Sequence, residues 1–130
     1  MNEINHHWFN RLSLTIILII LFTGCIQTDD NQNEVIDDYY QNKIIYEDLM
    51  DNKIGNNNIS NILEVTIEYW RSIGGTAEPF GGYANLTYND IWEVGVFINA
   101  NGEIIDYIWN FNSNSGVEIP ISDAAKKLYI

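Results

Sequence analysis

The sequence predicts an α+β domain in which one helix packs on a three- to four-stranded antiparallel sheet, after a cleaved signal peptide and a polar tether. Apolar residues recur at three- and four-residue intervals over residues 62–73, which is typical of an amphipathic helix. Residues 91–98 and 103–111 have apolar side chains at every second position and are joined by a turn-forming sequence, as in a β-hairpin. The first residues of the chain instead have the composition of an export signal.

The N-terminal segment has the features of a lipoprotein signal peptide. Arg11 precedes an apolar run, residues 12–22, that is too short to span a bilayer, and small residues lead into Cys25, the only cysteine. Residues 21–25 resemble the lipobox of prokaryotic lipoproteins, in which the cysteine thiol receives a diacylglyceryl group and becomes the first residue of the mature chain. The resemblance implies removal of residues 1–24 and membrane attachment through lipid on Cys25. An uncleaved anchor helix is the alternative, and both place the remaining chain outside the cytoplasm.

Composition and charge restrict the partners of this chain. Its 130 residues carry a formal net charge of -12, and only Glu3 and Arg11 among the charged side chains precede Cys25, so the mature part is equally acidic. An acidic surface repels phosphate groups, so we expect no nucleic-acid partner and no peripheral binding to anionic lipids. The lipid at Cys25 would hold the protein at the membrane. The length leaves room for one small domain and a tether.

The absence of histidine and thiol chemistry is the strongest restriction on function. His6 and His7 precede the proposed cleavage site, and Cys25 is committed to the lipid. Histidine-dependent nucleophilic triads, imidazole or thiolate zinc sites and disulfides are thereby excluded from the mature chain. We therefore expect a protein that is not an enzyme and carries no cofactor. A packed core must supply its stability, and the tryptophans and eight tyrosines provide the material for it.

A polar acidic tether is expected over residues 25–57. Residues 26–34 are mostly Gln, Thr, Asp and Asn, and this composition buries too little apolar surface to offset the ordering entropy. Residues 35–51 contain apolar side chains at partly helical spacing among acids. For that segment a helix and an extended linker both remain open.

The folded domain is expected at residues 58–130. Its helix over residues 62–73 begins after Ser60, a residue type suited to the N-cap, and ends at Gly74-Gly75. The same residues also alternate as a strand would, and their β-branched content keeps that alternative open. The long periodic run between a capping residue and a glycine stop favours the helix.

The sheet is expected after a break at Pro79 and Gly81-Gly82. Residues 99–102, Asn-Ala-Asn-Gly, supply a hairpin turn because asparagine and glycine tolerate positive φ. A last helical turn opens at Ser122. The predicted strands are residues 83–88, 91–98, 103–111 and a short edge strand, 117–121, that Pro120 limits.

The third strand has two different faces. Tyr107, Trp109 and Phe111 share one face with Ile105, and Asp106 and Asn110 share the other with Ile104 and Ile108, which we expect to be the solvated side. The favoured interpretation buries the aromatic face under the helix. The alternative is an exposed platform that stacks on sugar rings or on the side chains of a partner. These three aromatic residues are therefore the candidate interaction surface.

Several carboxylates and asparagines offer alternative sites. A pairing of Glu93 with Glu103 across the hairpin is relevant to glycoside hydrolysis, but nothing in the sequence places a cleft around them, so catalysis is disfavoured. Asn58 and Asn85 begin glycosylation sequons, which arise by chance in an asparagine-rich chain. An acidic cluster offers oxygen ligands for calcium but lacks the regular alternation of a dedicated loop, so a solvated tether is favoured; it comprises Asp29, Asp30, Glu34, Asp37 and Asp38.

The order of helix, double glycine and hairpin is similar to the PepSY family. The residues that carry the resemblance are Trp92-Glu93-Val94-Gly95-Val96-Phe97, Asn101-Gly102-Glu103-Ile104-Ile105 and Asn114-Ser115-Gly116-Val117. The match covers residues 58–119. PepSY domains are not catalytic; they occur in protease propeptides, where they act as inhibitors, and in cell-envelope proteins. The resemblance implies a binding or regulatory module.

Two functions follow as expectations. The favoured one is a membrane-anchored, extracytoplasmic and non-catalytic module that interacts with another envelope protein or regulates a protease. Its alternative is a ligand-binding surface lipoprotein that holds a glycan or a cation on its aromatic and acidic surface.

Overall fold

The computed structural model describes residues 30–130, with side chains from Val35 onward, and it has the predicted α+β fold. The expected signal peptide, Cys25 and the first part of the expected tether lie outside the described residues. A four-stranded antiparallel sheet, in which the last four strands pair in chain order, is covered on one face by helices. The elements are α1 (Asp30–Asp51), β1 (Lys53–Ile54), β2 (Asn57–Asn58), α2 (Ile59–Ser72), β3 (Ala77–Tyr88), β4 (Ile91–Ala100), β5 (Glu103–Asn112), β6 (Glu118–Pro120) and α3 (Asp123–Lys127).

Helix α2 confirms the helical interpretation of residues 62–73, but it begins earlier than predicted. Its N-cap is Asn58, whose side-chain oxygen accepts a hydrogen bond from the backbone N–H of Asn61 at 3.0 Å. The expected cap, Ser60, lies inside the first turn. The earlier start has a packing reason, because it places Ile59 one turn before Leu63 on the buried side of the helix. Asparagine serves the N-cap as well as serine does.

The C-terminus of α2 ends at the two glycines, as predicted. Gly74 has a φ of +83°, and its N–H donates to the carbonyl of Arg71 at 3.1 Å. The N–H of Gly75 donates to the carbonyl of Trp70 at 3.0 Å. This pair of bonds is a Schellman motif, and its left-handed residue is most easily a glycine.

Strand β3 is longer than the sequence suggests. The expected break at Pro79 and Gly81-Gly82 is wrong, because these residues pair with β4 as part of one continuous strand. The register shifts between Pro79 and Gly81, which leaves Phe80 as a bulge. β3 lies at the edge of the sheet, where a proline is tolerated and a bulge interrupts pairing without ending the strand.

The β4–β5 hairpin is confirmed, with both strands running up to a two-residue turn. Asn101 and Gly102 have φ values of 54° and 86°, as a type I′ turn requires. The Asn99 side chain accepts a hydrogen bond from the Gly102 N–H at 3.0 Å. The strands extend from Ile91 to Ala100 and from Glu103 to Asn112, slightly longer than predicted.

Ser122 joins the second edge of the sheet to α3. Its hydroxyl donates to the carbonyl of Asp106 at 2.7 Å and accepts from the N–H of Ile108 at 3.0 Å and from that of Ala125 at 3.2 Å. The last bond makes Ser122 the N-cap of α3, as the sequence predicts. One side chain thus continues the pairing of β5 beyond β6 and starts the helix.

Residues 35–51 of helix α1 belong to the folded unit, which spans Val35–Ile130. Its C-terminal half buries Ile45, Leu49 and Met50 in the core, and the Asn52 side-chain amide donates to the Gly116 carbonyl at 2.8 Å. The expected domain start at residue 58 is therefore too late. The helical alternative for residues 35–51 is confirmed, and the helix also includes residues 30–34 of the segment expected to be a polar tether.

Candidate functional site

The candidate interaction surface on β5 is part of the core. Tyr107, Trp109 and Phe111 are 5%, 0% and 2% exposed and lie on the sheet face that the helices cover. The rings of Tyr107 and Trp109 stack at a centroid distance of 6.3 Å. The core interpretation of this face is confirmed, and the interpretation as an exposed stacking platform is wrong. These aromatic rings fill the interior because alternation along β5 places them all on the helix-covered face of the sheet.

The indole nitrogen of Trp109, its one polar side-chain atom, also has a hydrogen-bond partner within the fold. Its indole N–H donates to the hydroxyl of Tyr129 at 3.1 Å, just beyond the end of α3. Burial of Tyr129 and its interactions with Glu118 raise its pKa to about 12, although the bond from Trp109 acts in the opposite direction. The Tyr129 hydroxyl therefore stays protonated at neutral pH and remains available as the acceptor for the Trp109 indole.

The opposite face of the sheet is not covered by any described element and carries aromatic and aliphatic side chains among polar ones. We call it the open sheet face and define it by eight side chains that share it through the strand register: Glu78, Tyr83, Glu93, Phe97, Ile104, Asp106, Ile108 and Ile119. Ile104 and Ile119 are 49% and 57% exposed, and Tyr83, Phe97 and Ile108 are partly buried. Exposed apolar area in one contiguous patch is typical of an interaction site.

Tyr83 is held in one position on the open sheet face by three contacts with β4. It pairs with Gly95 across the β3–β4 ladder, and its ring lies directly over that glycine, where any Cβ would overlap it. The ring stacks on Phe97 with a centroid distance of 5.8 Å and an interplanar angle of 28°. Its hydroxyl donates to the Glu93 carboxylate at 2.8 Å. The glycine thus provides space for an aromatic pair that is fixed before any partner arrives.

The electrostatics around Tyr83 are negative. Burial raises the pKa of Tyr83 to about 12, with further upward contributions from the hydrogen bond to Glu93 and from the charges of Glu93 and Asp106. Each of these influences favours the neutral phenol over the phenolate. The phenol is therefore a donor to Glu93 throughout the physiological range, and the two carboxylates act on the same region of the open sheet face.

No base balances these acids within the sheet. The four strands β3 to β6 contain five acidic residues and neither lysine nor arginine, and three of the acids, Glu78, Glu93 and Asp106, lie on the open sheet face. Lys43 of α1 lines a cleft with Tyr83 at the outer edge of β3, and its ammonium lies 3.7 Å from the Glu47 carboxylate. The open sheet face thus combines apolar area with negative charge.

The other sites considered from the sequence do not form. Glu93 pairs with Asn110 and Glu103 pairs with Ala100, so the two glutamates lie at opposite ends of the hairpin and do not face each other. Asp37 and Asp38 are exposed on α1. The side chains of the remaining acids of that cluster lie outside the described part. Among residues 35–130, no three His, Cys, Asp or Glu side chains come close enough together to hold a metal ion.

Sequence reasoning missed the open sheet face because it assigned one buried and one solvated side to each strand. The expectation that the face of Asp106 and Asn110 is solvated is correct only in part. Phe97, Ile104 and Ile108 share it, and their apolar character at positions between the core residues was the available signal. The contribution of Tyr83 depends on the register of β3, which the sequence does not reveal.

The fold and the open sheet face together define a small α+β domain whose sheet has one buried aromatic surface and one accessible one. Compared with protein-family models, with curated proteins and with solved structures, the chain matches none. Within residues 30–130, no helix has the length and apolar content that crossing a membrane requires.

Proposed function

We propose that this chain is a lipid-anchored, extracytoplasmic interaction module, without catalytic activity, that docks a protein of the cell envelope on its open sheet face. One observation carries the proposal: an aromatic and aliphatic sheet surface, built around the fixed Tyr83–Phe97 pair, is left accessible opposite the core. Protein interfaces concentrate aromatic side chains of this kind at their centre. Pre-organised anchors lose little conformational entropy on binding.

Two features of the sequence support this class of function. The chain after Cys25 contains no histidine or cysteine, so it lacks the residues of the commonest nucleophilic sites. The fold also follows the order that the PepSY resemblance implies, a helix that ends at glycines followed by an antiparallel hairpin with a glycine turn. That resemblance makes a protease one candidate for the docked protein. The glycan-binding alternative required the β5 aromatic residues as a surface, and their burial argues against it.

The docking function predicts a cross-link that depends on the open sheet face. A photoreactive amino acid at Ile104, which is 49% exposed, should cross-link the full-length protein to a defined envelope protein in intact cells. The double variant Phe97→Thr/Ile108→Thr should abolish this product, because it removes apolar contact area while threonine remains a favourable residue in strands. The product is identified by mass spectrometry.

The control variant removes exposed apolar side chains elsewhere. Val65→Ala/Tyr69→Ala truncates two residues of α2 that are 63% and 61% exposed, and it should leave the cross-link intact. Circular dichroism of both variants checks that they fold. Equal loss of the product in both variants, or no product at Ile104 beyond that from a photoreactive group at Val65, contradicts the proposed function.

The anchor is tested separately. The apolar run that abuts Cys25 predicts that protein extracted from membranes lacks residues 1–24 and carries acyl mass on the cysteine. Intact-mass spectrometry measures both. Cys25→Ser should retain the full chain without acyl mass. A wild-type mature chain that keeps Met1, or that has an unmodified Cys25, contradicts lipid anchoring and leaves the docking function to its own experiment.

A further inference from the structure

The aromatic pair on the open sheet face is arranged to receive a cation. Tyr83 and Phe97 stack at 5.8 Å, and both side chains are partly exposed on a face that no described element covers. The faces of aromatic rings carry partial negative charge and attract ammonium and guanidinium groups within about 6 Å of the ring centre. Because Gly95 leaves space for the Tyr83 ring, the pair is in place before a ligand binds.

Two carboxylates adjoin this aromatic pair. Glu93 Oε1 accepts a hydrogen bond from the Tyr83 hydroxyl, and Asp106 is the direct cross-strand partner of Phe97. Within residues 35–130 the salt bridges are Lys43–Glu47 and Asp123–Lys126, both inside helices, so neither Glu93 nor Asp106 is paired with a base there. Carboxylates at the border of an apolar patch provide the charged part of an interface and select for a partner of opposite sign.

The charge of the chain argues against a second copy as the occupant. The protein carries a formal net charge of -12, and no strand of the sheet contributes a lysine or arginine. Two open sheet faces brought together would place Glu93 and Asp106 of each copy in the same desolvated interface. Like charges opposed in this way destabilise a complex, whereas a basic partner is attracted over a distance.

We propose that the partner docked on the open sheet face presents a lysine or arginine flanked by apolar residues, and that this cation lies over the Tyr83–Phe97 pair between the Glu93 and Asp106 carboxylates. This inference rests on the docking function and adds the chemistry of its partner. Arginine suits the site best, because its planar guanidinium stacks on an aromatic ring while its N–H groups reach a carboxylate. The apolar neighbours of the cation contact Ile104, Ile108 and Ile119.

The probes are three short peptides, acetylated and amidated, in which valine and isoleucine alternate with arginine, glutamine or glutamate. Binding to the isotopically labelled full-length protein in a neutral detergent is followed by the amide chemical shifts. The arginine peptide should shift the amides around Tyr83, Phe97 and Ile108 and bind about tenfold more tightly than the glutamine peptide. The glutamate peptide should produce no shift on this face. Added salt should weaken the binding of the arginine peptide.

A matched pair of variants separates a local charge effect from a global one. Glu93→Gln/Asp106→Asn should lower the affinity for the arginine peptide about tenfold and leave the affinity for the glutamine peptide unchanged. The side-chain oxygen of Gln can still accept the hydrogen bond from the Tyr83 hydroxyl. Glu64→Gln/Glu68→Gln removes the same charge from the exposed side of α2 and should have little effect. Both variants keep the apolar residues of the face.

Each contrary result is distinct. Equal binding of the arginine and glutamine peptides, an equal loss in both charge variants, or the absence of arginine-dependent shifts on this face overturns the cationic partner. The docking function is then still tested by the cross-link at Ile104. Shifts at the same amides that depend on protein concentration alone identify a second copy as the occupant and also overturn the inference.

Discussion

Replacing Trp109 with alanine should lower the free energy of unfolding by about 3 to 5 kcal/mol. Trp109 is 0% exposed at the centre of the core, where its ring packs beside Tyr107, so truncation leaves a large cavity under the helices. The variant also removes the indole donor to Tyr129. Urea denaturation of the full-length protein in a neutral detergent, followed by far-ultraviolet circular dichroism, measures the change.

Tyr129→Phe separates the hydrogen bond from the cavity. It removes only the hydroxyl that accepts the hydrogen bond from Trp109, and it should lower the free energy of unfolding by about 0.5 to 1.5 kcal/mol. In the wild-type protein the fluorescence of Trp92 and Trp109 should be blue-shifted and insensitive to added sugars or calcium, because both indoles are buried. An unchanged melting temperature for Trp109→Ala, together with lost binding to cell-wall glycan, would restore the exposed-platform interpretation and contradict the structure.

The parts of the fold that the sequence predicts correctly are those with local causes. Turn chemistry at Asn101-Gly102 and two-residue alternation on either side are sufficient to define the hairpin. Three- and four-residue periodicity, with glycines at its end, is sufficient for α2. The N-cap was misplaced by two residues because Asn58 and Ser60 are both good caps, and only the burial of Ile59 distinguishes them.

The parts that the sequence misses depend on contacts between distant elements. Gly82 permits the Tyr46 ring of α1 to lie against β3, since a Cβ there would come within 2.5 Å of Tyr46 Cε2. Gly82, which the local sequence predicts to interrupt the strand, is thus the position where α1 approaches β3. The open sheet face has the same kind of origin, because only the register of β3 places Tyr83 over Gly95 and beside Phe97.

Helix α1 is the clearest test of where the domain begins. Leu49 is 0% exposed and packs in the core with residues of α2 and the sheet, so Leu49→Ala should lower the free energy of unfolding by about 2 to 5 kcal/mol. The spread reflects how far the surroundings relax into the cavity. The same urea denaturation measures the loss, and a single transition that moves as a whole would show that α1 unfolds together with the sheet.

Ile44→Ala is the matched control on the same helix. Ile44 is 51% exposed, so its truncation removes an aliphatic side chain of the same size from the solvent side and should change the stability by no more than about 0.5 kcal/mol. Both substitutions introduce alanine, which has the highest helix propensity, so neither should destabilise the helix through propensity. A lower stability for Leu49→Ala alone therefore indicates lost packing. Equal and small effects from both variants would mean that residues 35–51 are a tether after all and that the domain begins near Asn58. In that case the Asn52 bond to the Gly116 carbonyl would not contribute to the stability of the fold.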